Sequence, residues 1–303
     1  MNVPLFQGNV LPSLLAALFW GGGDFSGGMG SKYAGGTLGS ALRVLLISHS
    51  ASLIVLFTFA TLHGDPFPHG APLAWALLAG VTGALALACF YIALARGSMG
   101  ASAAVSGLLA AAIPAAVSMV GEGFPGTGRL FGFLIAGVAI WMVAAAPTGV
   151  LEAPVPKSSN TMGLAIVAGA GFGIYFVALK MAGSAGLVWP MATARVGSLG
   201  VCSLLLLAIS QRRTSVRAQT LAQGHLCRGA VLWALCGAVL DTTGNTLFLA
   251  ATRAGRLDVA AVLASLYPAS TILLAAWVLK ERFSRRQALG MAIAAAAVVL
   301  ITA

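Results

Sequence analysis

Charged side chains are scarce in this sequence. Asp, Glu, Lys and Arg together make up 8% of the 303 residues, and only 7 residues are acidic. Soluble domains carry about 25% charged residues, which they need to cover their surface. This composition excludes a soluble enzyme. A hydrophobic content of 59% also excludes a disordered chain, which needs low hydrophobicity.

Motifs for catalysis and metal binding are lacking as well. The 4 cysteines form no CxxC pair, and the 4 histidines form no HExxH sequence. A serine in the GxSG pattern of intramembrane proteases is also absent. We therefore predict a protein that is not an enzyme and that has no cofactor, metal site or disulfide framework.

Long apolar runs recur along the whole chain. A helix of about 20 apolar residues crosses the hydrocarbon core of a bilayer, and the lack of water there requires helical backbone. The runs predict an all-α membrane protein with ten transmembrane helices. The predicted spans cover residues 10–31, 37–61, 72–95, 98–121, 127–146, 161–183, 189–211, 229–253, 257–279 and 285–303.

The chain divides into two similar halves of five spans. A Pro-rich polar stretch over 149–160 predicts a linker between repeats at 1–148 and 161–303. Short segments recur in the same order, for example ALR at 41–43 with TAR at 193–195, and EGF at 122–124 with ERF at 281–283. An odd number of spans per repeat inserts the second copy in the opposite direction, so we predict two inverted repeats around a central cavity.

Several segments resemble the EamA-type members of the drug/metabolite transporter superfamily. They are FWGGGDF at 19–25, DTTGN at 241–245, LASLYPAST at 263–271 and LKERFSRRQALG at 279–290. The resemblance covers essentially the whole chain and implies the ten-helix fold of that family. It also implies transport of small molecules such as amino acids, sugars, nucleotide sugars or toxic cations.

Basic residues lie in short loops between the spans, which argues against a nucleic-acid-binding surface. Loops after odd-numbered spans hold eleven Lys and Arg residues and the opposite side holds four. This asymmetry predicts that the odd loops are cytoplasmic, whereas the family is more often drawn with cytoplasmic termini. We expect a multi-pass protein of the bacterial inner membrane, as a monomer or homodimer.

Two carboxylates fall inside predicted spans. Asp24 and Asp241 would be costly in hydrocarbon, so each is expected to face a cavity or a partner. Asn245 follows Asp241 by one helical turn and shares its face. These three residues are candidates for binding substrate or protons. Arg43 and Arg195, also inside spans, could pair with the acids as structural bridges or hold a substrate carboxylate.

Glycine, proline and aromatic residues mark the remaining candidates. Gly23 and Gly27 predict either close helix packing or a locally unwound helix lining the cavity, and they could act as hinges together with Pro114 and Pro268. Trp20, Tyr175 and Tyr267 are the favoured aromatic wall residues, suited to a cation or an aromatic group.

These features predict a secondary active transporter that works by alternating access. The expected cargo is a small cationic, zwitterionic or aromatic metabolite that the protein exports. Protons are the candidate coupling ion. The alternative is a passive channel or a membrane scaffold without transport activity.

Overall fold

The computed structural model describes residues 8–96, 99–144, 161–211, 226–278 and 284–302. The predicted linker over 149–160 and residues 279–283 of one family-like segment lie outside these ranges. In the described ranges the chain forms eleven α-helices, numbered here in chain order. They are α1 (Val10–Tyr33), α2 (Leu38–His63), α3 (Ala71–Arg96), α4 (Met99–Gly121), α5 (Thr127–Ala144), α6 (Thr161–Ala182), α7 (Val188–Gln211), α8 (Arg228–Ala254), α9 (Leu257–Ala264), α10 (Tyr267–Val278) and α11 (Arg285–Thr302).

The helix ends follow the local sequence signals. Thr37 accepts a hydrogen bond from the backbone N–H of Ser40 and so caps the start of α2. Gly64 ends that helix in the left-handed conformation, with a φ of 75°, which favours glycine. Asp258 lies in the first turn of α9 and accepts from the N–H of Val259 at 2.8 Å.

Each predicted span corresponds to helix, with one difference. The ninth span consists of two helices, α9 and α10, that are separated at Ser265 and Leu266. Pro268 lies in the first turn of α10, where a missing N–H costs no helical hydrogen bond. The break therefore lies before the proline and is not a kink caused by the proline. By contrast, α4 stays helical through Pro114.

The protein is an integral multi-pass membrane protein. Among the described residues, 6 helices are long and apolar enough to cross a bilayer, namely α2, α3, α6, α7, α8 and α11. Shorter apolar helical segments cover Val105–Gly121, Thr127–Val143 and Leu257–Thr271. Large apolar side chains on the outside of the bundle, such as Leu62, Val120 and Trp277, are exposed in a way that suits contact with lipid.

Helices of the two halves pack against each other in matched sets. In the comparison of the two halves, α1 corresponds to α6, α2 to α7, α3 to α8, α4 to the pair α9 and α10, and α5 to α11. The extensive contact between α1 and α8 therefore corresponds to the contact between α6 and α3. In the same way, the contact of α1 with α9 and α10 corresponds to that of α6 with α4. The α2–α7 and α5–α11 contacts each join equivalent helices. The central part of the bundle is thus built at the boundary between the halves.

Glycines explain the close approach of α1 and α6 to their neighbours. A Cβ at Gly21 would collide with the α10 backbone at Tyr267, and a Cβ at Gly23 would lie 3.4 Å from the backbone N of Asp241 on α8. Gly27 is buried in the same contact. In α6, Gly169 packs on α4 and Gly171 on α3. Because α1 is helical from Val10 to Tyr33, these glycines serve close packing, and the unwound alternative for α1 is not observed.

Candidate functional site

A cavity lies near the middle of the bundle, at the boundary between the two halves. The volume of the cavity is about 70 Å³, which is room for a few waters or a small organic group. Residues of α1, α2, α3, α6, α7, α8 and α10 line it. The residues with polar or aromatic side chains in this lining are Trp20, Asp24, His49, Phe172, Tyr175, Phe176, Arg195, Ser198, Asp241, Asn245 and Tyr267.

The two carboxylates predicted within spans both border this cavity. Asp24 comes from the middle of α1 and Asp241 from the middle of α8. The glycine-mediated contact of α1 with α8 brings the two acids to one side of the cavity, since Gly23 precedes Asp24 and lies against the backbone of Asp241. Like charges at such a place oppose one another unless a cation or a proton intervenes.

Asp241 is held by two donors. The Arg195 guanidinium donates from NH2 to Oδ2 of Asp241 at 2.5 Å, and Asn245 donates from Nδ2 to the same oxygen at 3.0 Å. The Arg195 side chain is 9% exposed and that of Asp241 is 31% exposed, so the pair is mostly shielded while the acid keeps a surface toward the cavity. This pairing neutralises one of the two carboxylates and fixes its position.

Asn245 is oriented by two aromatic donors. Its Oδ1 accepts from Nε1 of Trp20 at 2.9 Å and from the hydroxyl of Tyr175 at 2.7 Å. With both lone pairs of Oδ1 occupied, the amide nitrogen is directed at Asp241. Four of the predicted site residues, Trp20, Tyr175, Asn245 and Asp241, thus form one hydrogen-bonded network that starts on α1 and α6 and ends at the carboxylate on α8.

Asp24 differs from Asp241 in its surroundings. It is half-buried, it borders the cavity, and within the described part of the chain no side chain or backbone group forms a hydrogen bond or ion pair with it. A carboxylate at membrane depth without a protein partner is rare, because solvation by the protein normally offsets the cost of burying the charge. Asp24 is therefore available to a ligand in the cavity.

Aromatic rings form one wall of the cavity. The indole of Trp20 stacks on Phe176 with ring centroids 5.0 Å apart, and Phe248 contacts both rings at 5.3 and 4.8 Å. Tyr267, the first residue of α10, completes the wall beside the break in the ninth span. The α3 helix contributes small residues to the lining, among them Gly80 and Gly83.

Residues 159–303 match the model of the EamA-like transporter family. We call this matched segment, which forms the second half of the chain, the EamA-like domain. The family belongs to the drug/metabolite transporter superfamily, and the match confirms the resemblance for the motifs that lie within residues 159–303. Asp241, Asn245, Arg195 and Tyr267 all lie inside this EamA-like domain, whereas Asp24 and Trp20 lie in the half that precedes it.

Solved structures show the same fold over nearly the whole chain. Matches are found to 24 chains, and one crystal structure superposes with a TM-score of 0.70 at 14% sequence identity. That match covers 96% of this chain and 94% of the other. Among curated proteins, no sequence matches this one. The preceding half therefore shares, together with the EamA-like domain, a fold known from crystallography.

The two predicted arginines have different positions. Arg195 of the EamA-like domain borders the cavity, whereas Arg43, at the matching place on α2, is absent from its lining and is engaged by other groups. Pro114 is also absent from the lining, and Pro268 follows Tyr267 without bordering the cavity itself. The sequence similarity of the halves could not reveal this difference, because it depends on how each helix is rotated in the bundle.

Two further polar residues belong to the site beyond those predicted. Nδ1 of His49 on α2 lies 2.5 Å from Oγ of Ser198 on α7, and both residues are buried in the cavity wall. Ser198 follows Arg195 by one helical turn, so the sequence spacing already places the two side chains on the same face of the helix. The small residues of α3 gave no such signal, because Ala and Gly are abundant in every span of this sequence.

Proposed function

We propose that this protein is a secondary active transporter that exports small cationic, zwitterionic or aromatic metabolites by alternating access. The observation that carries the proposal is Asp24, a carboxylate that has no protein partner in the described residues and borders a cavity between the two halves. Because the family match concerns transporters, a cavity with a free charge is best interpreted as a place for cargo.

The charges around the cavity favour the cationic members of this cargo set. Two acids and one guanidinium border it, and Arg195 already pairs with Asp241. One carboxylate is left to balance a positive charge. The rings of Trp20 and Tyr267 offer π faces and apolar surface to the remainder of a cation. A proton on Asp24 would fill the same role, which makes proton exchange the coupling we propose.

The arrangement of helices supports alternating access. Matched contacts such as α1–α8 and α3–α6 place the cavity between two halves of similar construction. Two such halves can exchange roles and open the cavity to one side or the other, as inverted repeats do in transporters. The proposed topology has ten spans in two inverted repeats, with the cavity at mid-depth.

A binding measurement tests the proposal. Purified protein is heated at two pH values with amino acids, polyamines or quaternary ammonium compounds, and the melting temperature is recorded. A ligand that binds the folded state raises that temperature. We expect selective stabilisation by organic cations that is weaker at the lower pH, because protons then occupy Asp24. A uniform response to all compounds would favour a scaffold, and flux that rises linearly with concentration in proteoliposomes would favour a channel.

A further inference from the structure

A cluster of four charged residues lies at one end of the bundle, outside the lining of the cavity. It consists of Glu122 after α4, Lys180 in the last turn of α6, and Arg256 and Asp258 at the start of α9. We call these residues the charged clamp and the end of the bundle where they meet end A. None of the four borders the cavity.

Arg256 joins the second half of the chain to the first. Its Nε and NH2 donate to the carboxylate of Asp258, with the shortest distance 2.7 Å. Its NH1 donates to the backbone oxygen of Glu122 at 3.0 Å and its NH2 to that of Gly123 at 2.6 Å. The guanidinium thus holds the carbonyl groups that follow α4. The backbone oxygen of Arg256 accepts from Asn9, just before α1, at 2.9 Å.

Glu122 makes the reciprocal connection from the first half. Its carboxylate forms an ion pair with Lys180 of α6. Oε2 accepts from the hydroxyl of Ser118 at 2.7 Å and from the backbone N–H of Leu257, the first residue of α9, at 3.2 Å. Glu122, Lys180 and Arg256 therefore each contact a residue of the other half, and Asp258 is bound to Arg256.

Burial distinguishes the clamp from ordinary surface charges. The side chain of Asp258 is 0% exposed, and those of Arg256 and Lys180 are 22% and 23% exposed. Charges removed from water to this extent are stable only while their partners stay in place. The pair of His63 and Asp65, also at end A, offers a contrast, since its atoms are 4.0 Å apart and the His63 side chain is 69% exposed.

The clamp connects the interrupted ninth span with the fourth span, which contains a proline in its interior. It fastens the end of α4, which contains Pro114, to the start of α9, which ends at the break beside Ser265. Along α1 and α8, the buried aromatic cluster of Trp20, Phe176 and Phe248 contributes residues that are nearer to end A than Asp24 and Asp241 are. The path along these helices from the two acids to end A therefore passes the aromatic cluster first and the clamp second.

We propose that the charged clamp is the latch that keeps end A closed in the state seen here, and that it must separate when the cavity opens to that end. The inference rests on the proposed transport function, because only a transporter needs to open this end. Loss of one charge would shift the population toward the open state without altering a group that borders the cavity.

Accessibility of a buried cysteine tests the latch without any substrate. Ser265 is suitable because it is fully buried, its Oγ has no hydrogen-bond partner, and it lies along the ninth span between Asp258 and Tyr267. In Ser265→Cys protein we measure the rate of labelling by a membrane-impermeant maleimide applied from each side of the membrane. Peptide mass spectrometry separates this site from the 4 native cysteines.

Lys180→Gln, made in the Ser265→Cys parent, removes the ion pair with Glu122 while keeping a long polar side chain. We expect labelling of the introduced cysteine from the end-A side to rise about tenfold, because loss of the ion pair increases the population of the open state. Lys180→Arg keeps the charge and should label like the parent, as should Asp65→Asn, which changes an acid at the same end outside the clamp. Arg256→Gln, if it folds with a melting temperature near that of the parent, should behave like Lys180→Gln.

Labelling from end A that is unchanged in Lys180→Gln would overturn the latch. An equal rise in Asp65→Asn, or in Lys180→Arg, would overturn it as well, since the effect would then not depend on the charge pair. Because the measurement needs no cargo, such a result would leave the binding and flux tests of the proposed transporter unaffected.

Discussion

The guanidinium of Arg195 and the carboxylate of Asp241 lie 2.5 Å apart across the cavity wall, on two different helices. Asn245 supports the same carboxylate oxygen from one turn along α8. This ion pair balances the charge of Asp241, one of the two acids within predicted spans. The other acid, Asp24, has no hydrogen-bond or ion-pair partner among the described residues. The different surroundings of these two acids lead to different expectations for their variants.

Arg195→Gln should reduce stability, because it leaves Asp241 without its cation. Removing one partner of a mostly buried pair typically costs roughly 3 kcal/mol. The melting temperature of the purified variant in detergent measures the effect. The double variant Arg195→Gln with Asp241→Asn should recover most of the loss, since neither charge is then left unpaired. A double variant no more stable than Arg195→Gln alone would show that the pair is not what stabilises this region.

Asp24→Asn should leave the fold intact and weaken the binding of organic cations. The carboxylate has no partner to lose within the described residues, and a charge-assisted contact with a ligand typically contributes about tenfold or more in affinity. Isothermal titration with the cation found in the stability panel gives the dissociation constant. Asp65→Asn, which changes an acid in the loop after α2, serves as the matched control. An affinity equal to that of the parent would remove Asp24 from the site.

Gly244→Ala should disturb the aromatic wall. A Cβ at this position would come within 2.6 Å of the Trp20 ring, which is buried and hydrogen-bonded to Asn245. Overpacking of this kind costs about 1–3 kcal/mol. We expect a lower melting temperature and altered tryptophan fluorescence. Gly28→Ala is the control, since a Cβ there meets no atom within 4 Å. If both variants melt like the parent, the contact between Gly244 and Trp20 is not tight.

The positions of the helices were largely predictable from the sequence. Apolar runs separated by loop residues define segments whose ends match the structure closely, because a helix in lipid must satisfy its own backbone. The division of the ninth span was not predicted. Pro268 signalled an irregularity there, but a proline is also compatible with the first turn of a new helix, and only the structure shows that the helix starts again at Tyr267.

The sequence identified most residues of the candidate site, but it did not show which of them pair with each other. Asp24, Asp241 and Asn245 were identified because acids inside apolar spans are costly and because four residues make one helical turn. Which arginine pairs with which acid depends on helix rotation and packing, so Arg43 and Arg195 could not be told apart beforehand. The acids and bases of the clamp lie at helix ends, and their convergence at end A depends on tertiary contacts that the sequence does not reveal.

Exchange in proteoliposomes shows whether a cavity containing Asp24 carries cargo by alternating access. Vesicles loaded with an unlabelled cation are diluted into a trace amount of the labelled cation, and the uptake of label is followed. A carrier predicts transient accumulation of label above its equilibrium level, saturation with concentration, and loss of both in Asp24→Asn. Three results together would show that the cavity does not carry cargo in this way. Uptake would only approach equilibrium, it would not saturate, and it would be the same in the parent and in Asp24→Asn.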